Sequence, residues 1–307
     1  MKKYFILAAV ALTMAACSND DGANIANDST IRLTTGVAGT RTIDQAVQAT
    51  QIVNGGKVVA EFTSSVAADA VAGWTSGNTT TTATYTADGN GNLSGATVKW
   101  PKTTAGTETV SVEAWSPFTA KPNLGTDKFE VKADQSTEAN YTASDYLFGA
   151  SSSAFTKADI ASPILITFKH MLAKINVNVT MADGSSVLGA KVVFGPGTMK
   201  LNGTIGANSA VTVTGADATG SITMATLDAN ATASCIIIPQ TLNNTDDLIA
   251  ITLGGTTYKY TLPADKTYDA SKAYTYNVSI SDGETIILSE QITDWTYETA
   301  ESVIAKQ

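Results

Sequence analysis

Residues that usually carry catalysis and metal binding are scarce in this chain. Its 307 residues include one histidine, His170, two cysteines, Cys17 and Cys235, and two arginines, Arg32 and Arg41. No second histidine or cysteine lies near His170 in sequence to complete a metal-ligand or nucleophile set, so His170 is interpreted as structural. Cys235 precedes an isoleucine run and is interpreted as a buried thiol. We therefore expect no enzymatic activity, no bound metal and no cofactor.

Charged residues are also few. They make up 15% of the chain, against roughly 25% in average proteins, and the formal net charge is −9. An acidic chain without a basic patch repels polyanions, which excludes nucleic acid as a partner. Threonine and valine favour strands, whereas glycine, asparagine and aspartate favour turns. This composition predicts an all-β protein.

Short runs of alternating apolar and polar residues recur along the chain, as expected for strands. They cover 30–37, 57–62, 81–86, 96–100, 109–115, 164–168, 174–180, 190–194, 235–238, 248–253, 256–262, 273–280 and 284–288. Many short strands with close turns favour β-sandwiches. The weakly patterned stretch 151–163 predicts a domain boundary near residue 160, between an N-terminal domain at 30–160 and a C-terminal domain at 161–307.

One turn, residues 88–92, is similar to the start of a calcium-binding loop. The twelfth position of such a loop requires a bidentate glutamate, and here that position is Lys99. The segment is therefore interpreted as a hairpin turn.

The first 17 residues have the pattern of a secretory signal that ends at a cysteine. Two lysines precede an apolar run at 5–12, which is too short to span a bilayer. Residues 14–17 resemble the lipobox of bacterial lipoproteins, in which the cysteine is lipidated. We expect a signal peptide at 1–16, a lipid on Cys17 and a tether at 17–29, with the protein anchored in the outer membrane. The alternative is a secreted protein with an incidental cysteine.

Both arginines lie within the first 41 residues. Arg41 follows the first predicted strand in a loop of small residues, where proteolysis is easiest, whereas Arg32 lies inside that strand and is protected by pairing. An Arg-specific protease is therefore expected to cut after Arg41, before Thr42. Codon bias is an alternative explanation for the low arginine content, but it does not explain the position of Arg41.

Several short segments, in their order along the chain, carry a resemblance to a known protein family. They are the lipobox, 31–33, 39–41, 111–118, 145–149, 166–175 and 292–295. Together they resemble the Bacteroidota fimbrillin family, Mfa-like branch, over essentially the whole chain. The resemblance implies an all-β fold of two transthyretin-like β-sandwich domains in tandem. It also implies a structural subunit, shaft or tip, of a surface pilus that is built from lipoprotein precursors and contributes to adhesion.

The resemblance further implies how such a pilus assembles. An Arg-specific protease removes the first strand, and a strand from another subunit fills the groove that remains. Arg41 matches the cleavage site, which makes 17–41 a propeptide and Ile31, Leu33 and Val37 the removable apolar positions. The implied partners are other fimbrial subunits, in a homo- or hetero-polymer, and the protease. The outer membrane is contacted only before processing.

A strand that fills such a groove must be extended and must alternate apolar with polar residues. The candidate donor positions, all in the C-terminal segment 284–307, are Ile286, Leu288, Trp295, Tyr297, Val303 and Ile304. Positions 286–297 could equally be the last strands of their own domain, and 298–307 is short and weakly patterned. Shaft and tip roles both stay open.

A second hypothesis is a monomeric surface lipoprotein that binds glycan or host protein through its loops. Exposed tryptophans such as Trp74 or Trp100 could then serve as sugar platforms. A core or edge role is the commoner fate of a tryptophan in a β-protein.

The first residue of the protein sheared from cells distinguishes these outcomes. We expect sequencing of the sheared protein to find Thr42 at the N-terminus, since cleavage after Arg41 releases a processed pilin. A lipidated Cys17 at the N-terminus would instead identify a resident lipoprotein.

Overall fold

The computed structural model describes residues 29–37, 51–101, 107–281 and 284–295. Within these ranges the chain forms twenty β-strands, one six-residue α-helix and one 3₁₀ turn. This architecture confirms the predicted all-β class. The described part of the chain contains no helix that is long and apolar enough to cross a membrane.

The strands are short and follow one another closely. Strands β1 to β8 span Leu33–Val37, Lys57–Ser64, Thr80–Ala87, Leu93–Ser94, Val110–Ser116, Lys128–Glu130, Leu147–Ser151 and Ile164–His170. Strands β9 to β14 span Ala173–Met181, Lys191–Lys200, Asn202–Ile205, Val211–Thr212, Thr219–Thr223 and Thr232–Ile237. Strands β15 to β20 span Gln240–Leu242, Asp247–Leu253, Thr256–Thr261, Lys266–Tyr268, Lys272–Ser281 and Glu284–Asp294. Helix α1 is Glu138–Ala143, and the 3₁₀ turn is Asp159–Ala161.

A seven-stranded sheet dominates the N-terminal half, in the order β1-β8-β7-β5-β2-β3-β4. Its central strand is β5, and the neighbouring β2 pairs antiparallel with β3 and β5. Val58, Ala60 and Phe62 of β2 are all buried, as period-two alternation requires of the face that covers a core. They belong to the first hydrophobic cluster, which also contains residues of β1, β3, β5, β7 and β8.

The C-terminal half forms two four-stranded sheets, β13-β10-β16-β17 and β14-β9-β19-β20. Two smaller sheets, β12-β11-β6 and β15-β18, complete the described residues. Residues of both four-stranded sheets form the second hydrophobic cluster, in which Cys235 is fully buried. Burial raises the pKa of its thiol well above the usual value, and this agrees with the interpretation of Cys235 as a small core residue.

Two local expectations differ from the structure. The predicted strand at 96–100 is irregular backbone, although Val98 and Trp100 are buried. Strand β8, which the sequence assigns to the start of the second domain, pairs with β1 and β7 in the first sheet. The boundary near residue 160 stays a prediction, but the pairing of β8 associates 164–170 with the N-terminal half.

Strand β8 offers a direct measure of how much its inward face contributes to stability. Phe168 is fully buried, whereas Leu165 is 55% exposed on the same strand. We expect Phe168→Ala to lower the free energy of unfolding by about 3 to 5 kcal/mol, through lost burial and a cavity. The control Leu165→Ala should change it by less than about 0.5 kcal/mol. Urea denaturation measures both, and equal effects would contradict the assigned faces.

Candidate functional site: the first strand and its groove

Strand β1 pairs in parallel with the edge of β8. Five residue pairs form the ladder, from Leu33 opposite Ile164 to Val37 opposite Phe168. Just before it, the backbone N–H of Ile164 donates to the carbonyl of Arg32 at 2.8 Å. One edge of the first strand is therefore bound along its whole length.

The opposite edge of the first strand contacts the segment 91–98. The backbone N–H of Ile31 donates to the carbonyl of Val98 at 2.8 Å, and that of Thr35 donates to the carbonyl of Gly91 at 2.7 Å. This segment includes β4, which lies at the opposite end of the sheet order from β1. The contact therefore brings the two ends of the seven-stranded sheet together. We call the space that β1 occupies between β8 and 91–98 the β1 groove.

Alternate side chains of the first strand face the core. Ile31, Leu33 and Thr35 are 2%, 4% and 3% exposed, while Arg32 is exposed. Ile31 and Leu33 pack in the first hydrophobic cluster, whose other members include Ile52, Val58, Phe62, Tyr85, Val98, Trp100, Phe155, Ile160, Ile166 and Phe168. Val37 lies in the ladder as predicted, and the structure does not describe its side chain.

The β1 groove therefore has the chemistry of a strand-binding site. Its walls are two backbone edges and its floor is apolar. Burial raises the pKa of Tyr85 in that floor, so the phenol stays neutral. Glu108 is a buried carboxylate of this region, and it accepts a hydrogen bond from Nε1 of Trp100 at 2.8 Å. This arrangement can bind an extended peptide through main-chain hydrogen bonds and apolar contacts.

The candidate donor residues lie elsewhere. Ile286 and Leu288 belong to β20, which pairs antiparallel with β19 at the edge of a C-terminal sheet. Trp295, directly after β20, is only 5% exposed. Its backbone N–H donates to the backbone carbonyl of Ser271 at 2.7 Å. Ile286 and Leu288 therefore lie in a strand of this sheet and Trp295 lies in the second hydrophobic cluster, as expected under the alternative that the sequence left open. Tyr297, Val303 and Ile304 lie outside the described residues, as do Cys17, Arg41 and Thr42.

His170 connects the two halves of the protein. It ends β8 and is fully buried. Its ring stacks on Trp295 with centroids 3.7 Å apart and planes 7° apart. Its Nδ1 lies 2.8 Å from a carboxylate oxygen of Asp145. Sequence reasoning identified His170 as structural but missed both partners, because 25 and 125 residues separate them from it.

The tryptophans suggested as sugar platforms are not on the surface. Trp74 and Trp100 are 6% and 4% exposed in the first hydrophobic cluster. Nε1 of Trp74 donates to the carbonyl of Lys99 at 2.8 Å. Both rings pack in the same hydrophobic cluster as Ile31 and Leu33, so the exposure suggested by the second hypothesis is wrong.

The turn at 88–92 is a hairpin turn. One carboxylate oxygen of Asp88 accepts the backbone N–H groups of Asn90 and Asn92 at 2.7 and 3.0 Å, and the other accepts the Asn92 side chain. These bonds hold the pKa of Asp88 below its usual value. No cluster of possible metal ligands occurs among the residues that the structure describes.

Gly91 is a residue of the turn that contacts the first strand. It has a φ of +95°, and an added Cβ would lie 2.8 Å from Oε1 of Gln51 and 3.1 Å from the carbonyl oxygen of Thr35. Glycine at this position lets the backbone of 91–98 reach β1.

Replacement of Gly91 tests this contact. We expect Gly91→Ala to lower the free energy of unfolding by about 1 to 3 kcal/mol and to speed amide hydrogen exchange at Thr35. The matched control is Gly95→Ala, since Gly95 also has a positive φ, +100°, but no atom within 4 Å of an added Cβ. Faster exchange at Thr35 in both variants, or in neither, would contradict the role of Gly91.

Comparison with known proteins agrees with this architecture. A family model described as fimbrillin-like matches residues 23–295, whereas no curated protein matches the chain. A solved structure from Bacteroides ovatus, described as a cell adhesion protein, is 18% identical, covers 88% of this chain and 99% of its own, and has a TM-score of 0.62. One from Bacteroides uniformis with the same description is 18% identical, covers 88% and 100%, and has a TM-score of 0.58.

A third similar structure is the C-terminally truncated tip fimbrial protein Mfa3 from Porphyromonas gingivalis. It is 10% identical, covers 87% of this chain and all of its own, and has a TM-score of 0.46. The first two likenesses establish a shared fold. The family match covers most of the chain, and the protein therefore belongs to the fimbrillin-like family.

Proposed function

We propose that this protein is a subunit of a surface pilus and that it assembles by strand exchange after proteolytic removal of its first strand. The observation that carries the proposal is the two-sided pairing of β1 over an apolar floor. Loss of β1 would expose Ile166 and Phe168 together with an unpaired edge of β8. An exposed edge of this kind is a template for an incoming strand.

The proposed cleavage site is Arg41. The carbonyl of the other arginine, Arg32, is bound to Ile164, and its Nη2 donates to the carbonyl of Ala161 at 3.1 Å. A protease would have to break these contacts to reach the bond after Arg32. Arg41 lies beyond the last residue of β1, and this position supports cleavage there.

The lipid on Cys17 would then be a temporary anchor. In this proposal it holds the precursor in the outer membrane and leaves with residues 17–41. The processed chain would begin at Thr42 and join the fimbrium on the cell surface.

Burial of the first strand indicates how firmly the β1 groove would hold a replacement. A fully buried isoleucine or leucine contributes about 1.5 to 3 kcal/mol, so two residues such as Ile31 and Leu33 contribute about 3 to 6 kcal/mol. Main-chain hydrogen bonds on both edges add to this and make the joint long-lived. The partner is another fimbrial subunit that supplies such a strand.

The candidate donor divides into two parts. Ile286, Leu288 and Trp295 are engaged in their own sheet or core, so their donation would require the loss of β20 from β19. Tyr297, Val303 and Ile304 follow that engaged segment and stay the donor candidates of this chain.

Treatment of the purified precursor with an Arg-specific protease tests the proposal. We expect cleavage at Arg41 to yield ladders of SDS-resistant multimers, because open grooves take up strands from neighbouring subunits. Arg41→Lys should stay uncut and monomeric. Arg32→Lys should be cut and should assemble like the unaltered protein.

A peptide of residues 29–37, added in excess, should enter the β1 groove and stop multimer growth. The same peptide with aspartate in place of Ile31 and Leu33 should have no effect. A cleaved protein that binds no peptide and stays monomeric would contradict strand exchange.

A further inference from the structure

An edge strand, β14, lies far in sequence from the β1 groove. Strand β14 pairs antiparallel with β9, from Thr232 opposite Asn178 to Ile237 opposite Ala173. It is the terminal strand of the sheet β14-β9-β19-β20. Its other edge faces the segment that leads into helix α1.

Part of that edge is already paired by a side chain. The Nε2 of Gln135 donates to the carbonyl of Ile236, and the N–H of Ile236 donates to Oε1 of Gln135, both at 2.8 Å. The amide of a glutamine has the same donor and acceptor as a peptide group. Gln135 is 2% exposed, so it occupies the place of one residue of a neighbouring strand.

The next outward-facing residue of β14 is Ser234. Alternate residues of an edge strand direct their N–H and C=O groups to opposite sides, and Ile236 directs both groups to Gln135. Ser234 and Thr232 therefore face the same side. Consistent with this alternation, the carbonyl of Ala231 accepts the N–H of Val179 from β9. Within the described ranges, no strand pairs with the outward edge at Ser234.

The outward edge opens into a cavity of about 240 Å³. Its lining residues come from three segments, namely the start of α1, the loop before β14, and β14 with β9. They include Gln135, Glu138, Lys174, Asp228, Thr232 and Ser234. The volume is below the roughly 300 to 1,000 Å³ typical of pockets for drug-sized ligands. The cavity can therefore hold only a small part of an extended chain, and the rest of that chain would lie outside it.

We propose that this cavity binds an extended polypeptide segment, which adds to the edge of β14 at Ser234 in line with the amide of Gln135. Main-chain hydrogen bonds to Ser234 provide the affinity. Two carboxylates, of Glu138 and Asp228, line the cavity against one cation, Lys174. The lining is therefore net negative, which selects a segment with a lysine or arginine beside the pairing residue. The site shares no residue with the β1 groove, so the two proposals stand or fall separately.

Two substitutions at one residue separate main-chain pairing from side-chain recognition. Ser234→Pro removes the outward N–H, and proline is tolerated on an edge strand where that group points away from the sheet. Ser234→Ala keeps the N–H and removes only the hydroxyl, which donates to Oδ1 of Asn176 at 2.8 Å. The probe is a fluorescein-labelled heptapeptide that alternates threonine and valine around a central lysine.

Fluorescence anisotropy with the full-length protein should show binding that Ser234→Pro weakens at least about tenfold, the effect of about 1.4 kcal/mol from a lost hydrogen bond. Ser234→Ala should bind within about twofold of the unaltered protein, as expected for recognition through the main chain. Equal binding by Ser234→Pro and the unaltered protein would overturn the proposal, as would the absence of binding at millimolar peptide.

Amide hydrogen exchange of the unaltered protein provides a measurement that needs no variant. Saturating peptide should slow exchange at Ser234 about tenfold and leave Ala233, which faces β9, unchanged. Protection of Ser234 by simple methyl glycosides, but not by the peptide, would overturn the proposal in favour of a sugar site.

Discussion

The pairing of β1 on both of its edges is the constraint on which the first half of the protein depends. The strand connects β8 to the segment 91–98 and so joins the two ends of the seven-stranded sheet. Ile31 and Leu33 are buried only because both edges hold the backbone in place. A gap between two parallel or antiparallel edges can be filled only by another extended chain. The same geometry that stabilises the first half of the protein therefore gives the β1 groove the shape of a strand.

Strand β8, one wall of the β1 groove, is held in place by contacts other than those with β1. Strand β8 is paired with β7 on its other edge, and its last residue, His170, is stacked on Trp295 and bonded to Asp145. Trp295 belongs to the second hydrophobic cluster, so this junction fixes the end of β8 to the C-terminal half. Removal of β1 would leave these contacts in place. A pre-formed wall reduces the entropy cost of binding an incoming strand.

Local sequence patterns predicted much of the fold. The predictions that were wrong share one cause. Alternation at 31, 33 and 37 predicted the apolar face of the first strand, on which Ile31 and Leu33 are buried, and the residue types at 88–92 predicted the hairpin turn there. Alternation also predicted a strand at 96–100, which is irregular backbone. The second hypothesis suggested exposed rings for Trp74 and Trp100, which are buried. An alternating pattern predicts that one face of a strand is buried, but it does not identify the element that covers that face. In this protein Ile31 and Leu33 of the first strand pack in the same cluster as both tryptophans, although the first strand lies more than 35 residues earlier in the chain.

The sequence by itself determined the all-β class, the membership of the fimbrillin-like family, and the positions of Cys17 and Arg41 on either side of the first strand. Composition, periodicity and motif order are local properties and survive without coordinates. Only the tertiary structure decided that β8 belongs to the first sheet, that Trp295 stacks on His170, and that β14 is an edge strand. Strand partners are chosen by packing over long separations, where a sequence pattern compatible with one partner is compatible with several.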